Sequence, residues 1–274
     1  FWIIYGISYA ASILIYYIIG YRKDVVMSNL AIAFPEKSYA EKELIAKKFY
    51  KNFADNFIET IKLLSITKKQ LAKRFIGEFD KVNAYYETGR NMQLHLGHFF
   101  NWEYANLSFF ESKYPQLIVY MPLANKAMDK FFSKLRTRFG AKLIAATSYL
   151  KEFKPYSKNR FSLVFAGDQS AGNLNTAYWL PFFGKITPFV TGPEKSARLN
   201  NTITFYANFS KLKRGYYALK FYLITDDARN TKEGEITKQM IKFLEQNIQE
   251  QPEIYLWTHK RWNHELYASK HRAL

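Results

Sequence analysis

Residues 1–21, FWIIYGISYAASILIYYIIGY, carry no charged side chain, and Arg22 and Lys23 follow at once. About 20 helical residues rise roughly 30 Å, enough to cross the hydrocarbon core of a bilayer. The pattern therefore predicts an N-terminal membrane helix over 1–21, followed by one domain over 22–274. Basic residues stay on the cytoplasmic face, which places that domain on the cytoplasmic side. Ser8, Ser12 and the tyrosines of this stretch lower its hydrophobicity, so an amphipathic anchor lying in the membrane plane is the alternative. Pro35 interrupts the chain, and Ser38-Tyr39-Ala40-Glu41 has the spacing of a capping box. A helix over 39–64 should follow. Leu44, Ile45, Phe49, Phe53, Phe57, Ile61 and Leu64 recur at steps of mostly three or four and form one apolar face, with Lys42, Lys47, Lys48 and Lys51 largely off it.

Beyond residue 90 the texture changes. Segments 92–96 and 161–166 read as strands, and 117–120, 142–144, 202–209 and 216–224 are weaker candidates. Helical patterns over 102–110, 126–139, 194–199 and 232–249 fall between them. Such alternation predicts an α/β fold: a mixed, mostly parallel sheet flanked by helices, with some late strands antiparallel. Thr191-Gly192-Pro193-Glu194 has the form of a second capping box, and its helix carries Arg198.

Composition narrows the partners. Of 274 residues, 40 are Lys or Arg against 23 acids, a net charge of +17, and 18% are aromatic. So much positive charge calls for an acidic partner. Amphipathic rings beside basic residues suit a membrane–water interface. The same mixture suits stacking on single-stranded nucleic acid, but no nucleic-acid motif is present. The chain has no cysteine, which excludes disulfides, thiolate metal sites and cysteine catalysis.

Chemistry concentrates in Leu94-His95-Leu96-Gly97-His98-Phe99-Phe100-Asn101-Trp102-Glu103. A strand ends near Gly97 and a helix starts near Asn101, a favoured N-cap residue. His98 then lies in the turn beside the positive end of that helix, which favours the neutral imidazole a general base needs. On one continuous helix His98 and Glu103 would point about 140° apart. A turn at His98 lets Glu103 fold back to the ring, fixing its tautomer and stabilising the imidazolium. A histidine five residues before an acid is unspecific by itself. His95 and His98, an odd step apart on a strand, face opposite ways and do not suggest a metal site.

The context of that turn resembles the bacterial lipid A biosynthesis acyltransferases, a family sharing the histidine–four–acid motif with the glycerolphosphate acyltransferases. The resemblance runs in order along nearly the whole chain. It takes in Gly20-Tyr21-Arg22-Lys23, Asn29-Leu30 and Ala33-Phe34-Pro35, then Gly97-His98 with Asn101-Trp102-Glu103. It continues through Tyr120, Pro122, Asn125, Asp129, Arg136 and Arg138, then Asp168-Gln169 with Pro181-Phe182-Phe183-Gly184. It closes on Pro252, Tyr255-Leu256-Trp257 and His259-Lys260-Arg261-Trp262. Phe100 and Met121 depart from it, standing where many members carry glycine and some a basic residue.

The resemblance implies a glycerolphosphate-acyltransferase-like fold in the bacterial inner membrane. It implies acyl transfer without a cofactor, from acyl carrier protein to a hydroxyl of a lipid A precursor. His98 would take the hydroxyl proton, with Glu103 as its partner and no acyl-enzyme. Asn101, Arg136, Arg138, Asp168, Gln169 and Arg198 are the candidate substrate-binding residues; the arginines suit a phosphate or an oxyanion. Asp168-Gln169, after a strongly apolar strand, would border the ligand crevice. The block from His259 to Trp262 reads as surface or as a contact to lipid head groups. Two competing functions are the same chemistry on a phospholipid or aminolipid, and a non-catalytic basic protein binding membranes or nucleic acid.

Overall fold

The computed structural model describes residues 2–264. Its helices are α1 (Trp2–Ile13), α2 (Lys23–Ala33), α3 (Tyr39–Leu63), α4 (Lys68–Ala72), α5 (Phe79–Asn83), α6 (Trp102–Ser108), α7 (Lys126–Arg136), α8 (Tyr149–Phe153), α9 (Gly192–Asn200) and α10 (Glu235–Glu250). Its strands are β1 (Phe75–Gly77), β2 (Met92–Leu96), β3 (Gln116–Tyr120), β4 (Lys142–Ala145), β5 (Ser162–Ala166), β6 (Tyr178–Phe182), β7 (Lys185–Phe189), β8 (Ile203–Lys213) and β9 (Tyr216–Thr225).

Seven of these strands form one sheet in the order β1-β9-β8-β2-β5-β3-β4. Every neighbouring pair is parallel except the β8–β9 hairpin. The expected α/β fold with a mixed, mostly parallel sheet is what the chain forms. The central strands are buried on both faces because helices cover them: Met92 and Leu94 of β2 and Leu163 and Val164 of β5 are buried, and so are the polar Gln93 and His95 of β2. Two features were not expected. β1 is only three residues long, below the reach of any periodicity. The separate β6–β7 hairpin contains Pro181 and Pro188, residues that argue against a strand unless neither needs to donate to a neighbour. Its turn, Phe183-Gly184, has positive φ at both positions (48° and 72°), the handedness that matches strand twist.

The capping box of α3 is present, with Ser38 Oγ accepting the Glu41 N–H at 3.3 Å and the Ser38 N–H donating to Glu41 Oε2 at 2.7 Å. The buried face of α3 is not the expected one. Leu44, Phe57 and Ile61 are exposed, while Asp55 and Glu59 are buried. These carboxylates are held by partners remote in sequence. Asp55 accepts Arg214 Nε at 2.8 Å, and Glu59 accepts the Tyr217 hydroxyl at 2.5 Å.

The same carboxylates engage the stretch expected as a membrane helix over 1–21, and that expectation finds no support. Among the described residues no helix is long and apolar enough to cross a membrane. Instead α1 lies along α3, continued by a π-helical stretch over Leu14–Ile19. Ser8 Oγ donates to Asp55 Oδ1 at 2.5 Å and the Tyr5 hydroxyl to Glu59 Oε1 at 2.9 Å. Tyr5 and Ser8, which dilute the apolar run, thus fasten it to α3, while Ile7, Ile13, Leu14, Ile18 and Ile19 remain exposed. A buried charge stripped of its partner costs about 3–5 kcal/mol, less when one partner reaches solvent. We expect Arg214→Ala to destabilise the protein by about 2–3 kcal/mol in urea unfolding, because it leaves Asp55 only its weaker neighbours. A loss below about 0.5 kcal/mol, the usual scale of surface substitutions, would show that the cluster is not what holds α1, α3 and β8 together.

The second predicted capping box is also corrected. Thr191 makes no side-chain cap on α9. Glu194 is fully buried and serves the next helix, accepting the Gly234 N–H at 2.5 Å and the Thr237 N–H at 2.9 Å at the start of α10.

Candidate active site

The C-terminal ends of β2, β5 and β3 lie side by side, and the first two supply the pair at the heart of the site. In the parallel ladder Leu96 is level with Ala166. His98 and Asp168 each come two residues later, so register alone brings them together. His98 Nδ1 is 2.6 Å from Asp168 Oδ1, and the His98 N–H donates to Asp168 Oδ2 at 3.0 Å. The Asp168 side chain is 1% exposed and that of His98 23%. Burial alone would raise the Asp168 carboxyl, but the His98 ring and its two hydrogen bonds outweigh it and hold the carboxyl below its ordinary range. An ionised Asp168 places the ring proton on Nδ1 and leaves the Nε2 lone pair free to take a proton. The turn is tight: a Cβ on Gly97 would lie 2.5 Å from Leu244 and 2.8 Å from Phe99. The edge of Trp102 meets the His98 ring at 5.4 Å.

Glu103 does not fold back to His98. Its Oε1 accepts Arg136 Nη2 at 2.6 Å, Arg136 Nε at 3.0 Å and Trp102 Nε1 at 2.9 Å. The physical reason is that Glu103 is 1% exposed, and a buried carboxylate is best satisfied by a two-point guanidinium. The imidazole is meanwhile engaged by Asp168. The His98–Glu103 partnership expected from the motif is thus replaced by two pairs, His98–Asp168 and Glu103–Arg136.

Both pairs open on one cavity of 410 Å³, which His98, Glu103, Arg136 and Gln169 all line. It extends from the exposed Met121 and Leu123 to the buried Ala207, Phe209 and Leu219 of the β8–β9 hairpin. A cavity with a few converging polar groups at one end and apolar walls elsewhere suits a ligand with a reactive head and a hydrocarbon tail.

The other candidates fall away from it. Asn101 is fully buried and caps α6, its Oδ1 accepting the Glu103 N–H at 3.1 Å while its amide points to Asn56 O. Arg138 donates to the Leu63 carbonyl and lies over the Phe139 ring, tying α7 to the end of α3. Arg198 sits near the end of α9, which leads into β8 at Ile203, level with Met92 at the start of β2. It is therefore at the opposite end of the sheet from His98. Of the expected substrate-binding residues, Arg136, Asp168 and Gln169 are at the site, while Asn101, Arg138 and Arg198 are not. His95 is buried against Phe165 with Nε2 2.7 Å from Gln93 Nε2, and burial pushes its pKa down to about 4.

A strand-end histidine over an apolar cavity, on a mostly parallel α/β sheet, is an arrangement in which an acyl group can be transferred to a hydroxyl. The chain matches the bacterial lipid A biosynthesis acyltransferases over residues 3–264 and belongs to that family. It is 22% identical over 243 residues to a lipid A biosynthesis acyltransferase of Haemophilus influenzae, covering 86% of this chain and 74% of that protein. It is likewise 22% identical over 244 residues to a lipid A biosynthesis palmitoleoyltransferase of Escherichia coli, covering 88% and 78%. The protein is an O-acyltransferase of lipid A biosynthesis.

Proposed function

We propose that the protein moves a fatty acyl group from the thioester of acyl carrier protein to a hydroxyl of a lipid A precursor, with His98 as general base. The observation that carries this reading is the 2.6 Å contact of His98 Nδ1 with Asp168, which leaves Nε2 for a substrate proton beside an apolar cavity. His98 Nε2 takes the acceptor's hydroxyl proton as the oxygen attacks the thioester carbonyl. The tetrahedral intermediate collapses with cleavage of the C–S bond, and the proton passes from the imidazolium to the departing sulfur. Arg136 spends Nε and Nη2 on Glu103, and its Nη1 is assigned to the developing oxyanion. Glu103 thus acts by holding Arg136. The acyl chain occupies the cavity toward Phe209 and Leu219.

A net charge of +17 suits both an acidic carrier protein and an anionic membrane face. The exposed side of α1 and of its π-helical continuation, with Ile7, Ile13, Ile18 and Ile19, suits attachment along the inner membrane, with the site on the cytoplasmic side. Acyl transfer to a lipid A precursor, assayed with acyl carrier protein or coenzyme A as donor in neutral detergent, tests the donor. Steering between opposite charges weakens as salt shortens its reach to about 8 Å. We expect kcat/KM for the carrier-protein donor to fall steeply with salt and that for the smaller coenzyme A donor to fall less. Equal slopes would remove carrier-protein steering, and no transfer to the lipid A precursor with either donor would remove the acceptor assignment.

A further inference from the structure

Residues 254–261 return across the ends of the strands and hold both turns of the site. Their backbone brackets the first turn. The Leu256 N–H donates to His98 O at 3.0 Å, the Phe100 N–H donates to Ile254 O at 2.8 Å, and Phe99 pairs with Tyr255 as an antiparallel bridge. His259 reaches the second turn, its Nε2 accepting the Ser170 N–H at 3.1 Å with the Ser170 hydroxyl 3.3 Å away. The segment is itself held from α2. Asn29 Nδ2 donates to Trp257 O at 2.7 Å and to His259 O at 2.8 Å, and Arg22 Nη1 donates to Thr258 O at 2.9 Å. Trp257 is fully buried and Arg261 is 1% exposed, so these two side chains are packed into the body, while Lys260 between His259 and Arg261 is exposed.

We infer that His259 is a positioning residue for acyl transfer: by accepting the Ser170 N–H it fixes the turn that carries Asp168, and through Asp168 it sets the orientation of His98. The inference rests on the proposed role of His98 as the base. Ser170 lies two residues beyond Asp168, so a turn freed there moves the carboxylate directly. A displacement of about 1 Å at such a distance from the chemistry can cost about 10²-fold in rate. Only a neutral ring with its lone pair on Nε2 can accept a backbone N–H. Burial, and then the neighbouring Arg261, push the His259 pKa down to about 4. The other charged or titratable groups acting on the ring are Asp168, His98 and Arg22. The ring is therefore a neutral acceptor near neutral pH.

The test compares variants that lose the acceptor, His259→Phe and His259→Leu, with His259→Gln, which keeps one, in the same transfer assay and normalised to folded protein. We expect kcat to fall about 10- to 100-fold in Phe and Leu, with KM for the donor nearly unchanged and most of kcat recovered in Gln. In an Asp168→Asn background, His259→Phe should add little, because both act through one contact. Unchanged kcat in His259→Phe, or a Gln variant as slow as Phe, overturns the inference. Amide exchange of the native protein needs no variant: slow exchange at Ser170 is expected, and exchange at the rate of an open loop overturns it. His98→Ala in the same assay separates the two levels. Activity there removes the base assignment, whereas loss of activity there with full activity in His259→Phe removes only the positioning role.

Discussion

His98→Ala should abolish acyl transfer, lowering kcat by about 10²–10⁴-fold while the protein remains folded. The expectation follows from the geometry. His98 is partly exposed on a cavity wall, and its one strong side-chain contact is with Asp168. Alanine deletes the proton acceptor at a position where little packing depends on the ring. Thermal unfolding should shift downward, because buried Asp168 keeps only the residue-98 N–H of its two contacts, but the cavity should still bind acyl donor, so in the folded variant the loss should appear in kcat more than in KM. A variant retaining more than half of wild-type turnover would rule out the general-base role.

The second large effect is expected at a residue outside the histidine–four–acid motif. Asp168→Asn preserves size but replaces the ionised acceptor with an amide that can present N–H to the ring. His98 then has reason to carry its proton on Nε2, where it cannot take one from a hydroxyl. In a serine protease triad the same exchange costs about 10⁴ in kcat, and we expect a loss on the order of 10³–10⁴ here. Glu103→Gln should be milder. The amide keeps an oxygen for Arg136, and the histidine tautomer is untouched. Transfer assays on both variants decide between the two carboxylates. If Glu103→Gln were the more damaging, the partner of His98 would be the acid of the motif after all, and the 2.6 Å contact with Asp168 would be structural only.

The sequence pattern carried the class of fold and the location of the chemistry, for identifiable reasons. A buried parallel strand can be apolar on both faces, which makes β5 stand out, and β2 shows in the alternation of Met92, Leu94 and Leu96. Asn101 marks the start of α6 because an N-cap needs a short side-chain acceptor. Pairings across long separations were not legible. Seventy residues part His98 from Asp168, and their meeting depends on the β2–β5 register. Glu103 seemed to belong to His98 because proximity along the chain was the only proximity on view. Arg136, which claims it, arrives from α7. The same limit explains α3: a helical wheel assigns Asp55 and Glu59 to solvent unless Arg214 and Tyr217 are known to lie opposite. It also applies to the N-terminal stretch, where Tyr5, Ser8 and Tyr16 read as dilution of an apolar run until their partners Glu59, Asp55 and Glu43 on α3 are seen.

That His98 and Asp168 occupy level positions beyond two adjoining strands has a consequence for how such enzymes diversify. The spacing of the pair is set by the backbone ladder from Met92–Ser162 to Leu96–Ala166, and the connections that leave and return contribute nothing to it. Provided Arg136 at the end of α7 keeps its place against Glu103, the rest of the excursion between β3 and β5, including β4 and α8, can lengthen, shorten or change chemistry without altering the reacting geometry. Its first residues, Met121 and Leu123, line the cavity. Lineages of this fold are therefore free to trade acceptors and chain lengths by exchanging that excursion, and a chimera carrying a relative's loop should inherit its preference with its turnover intact.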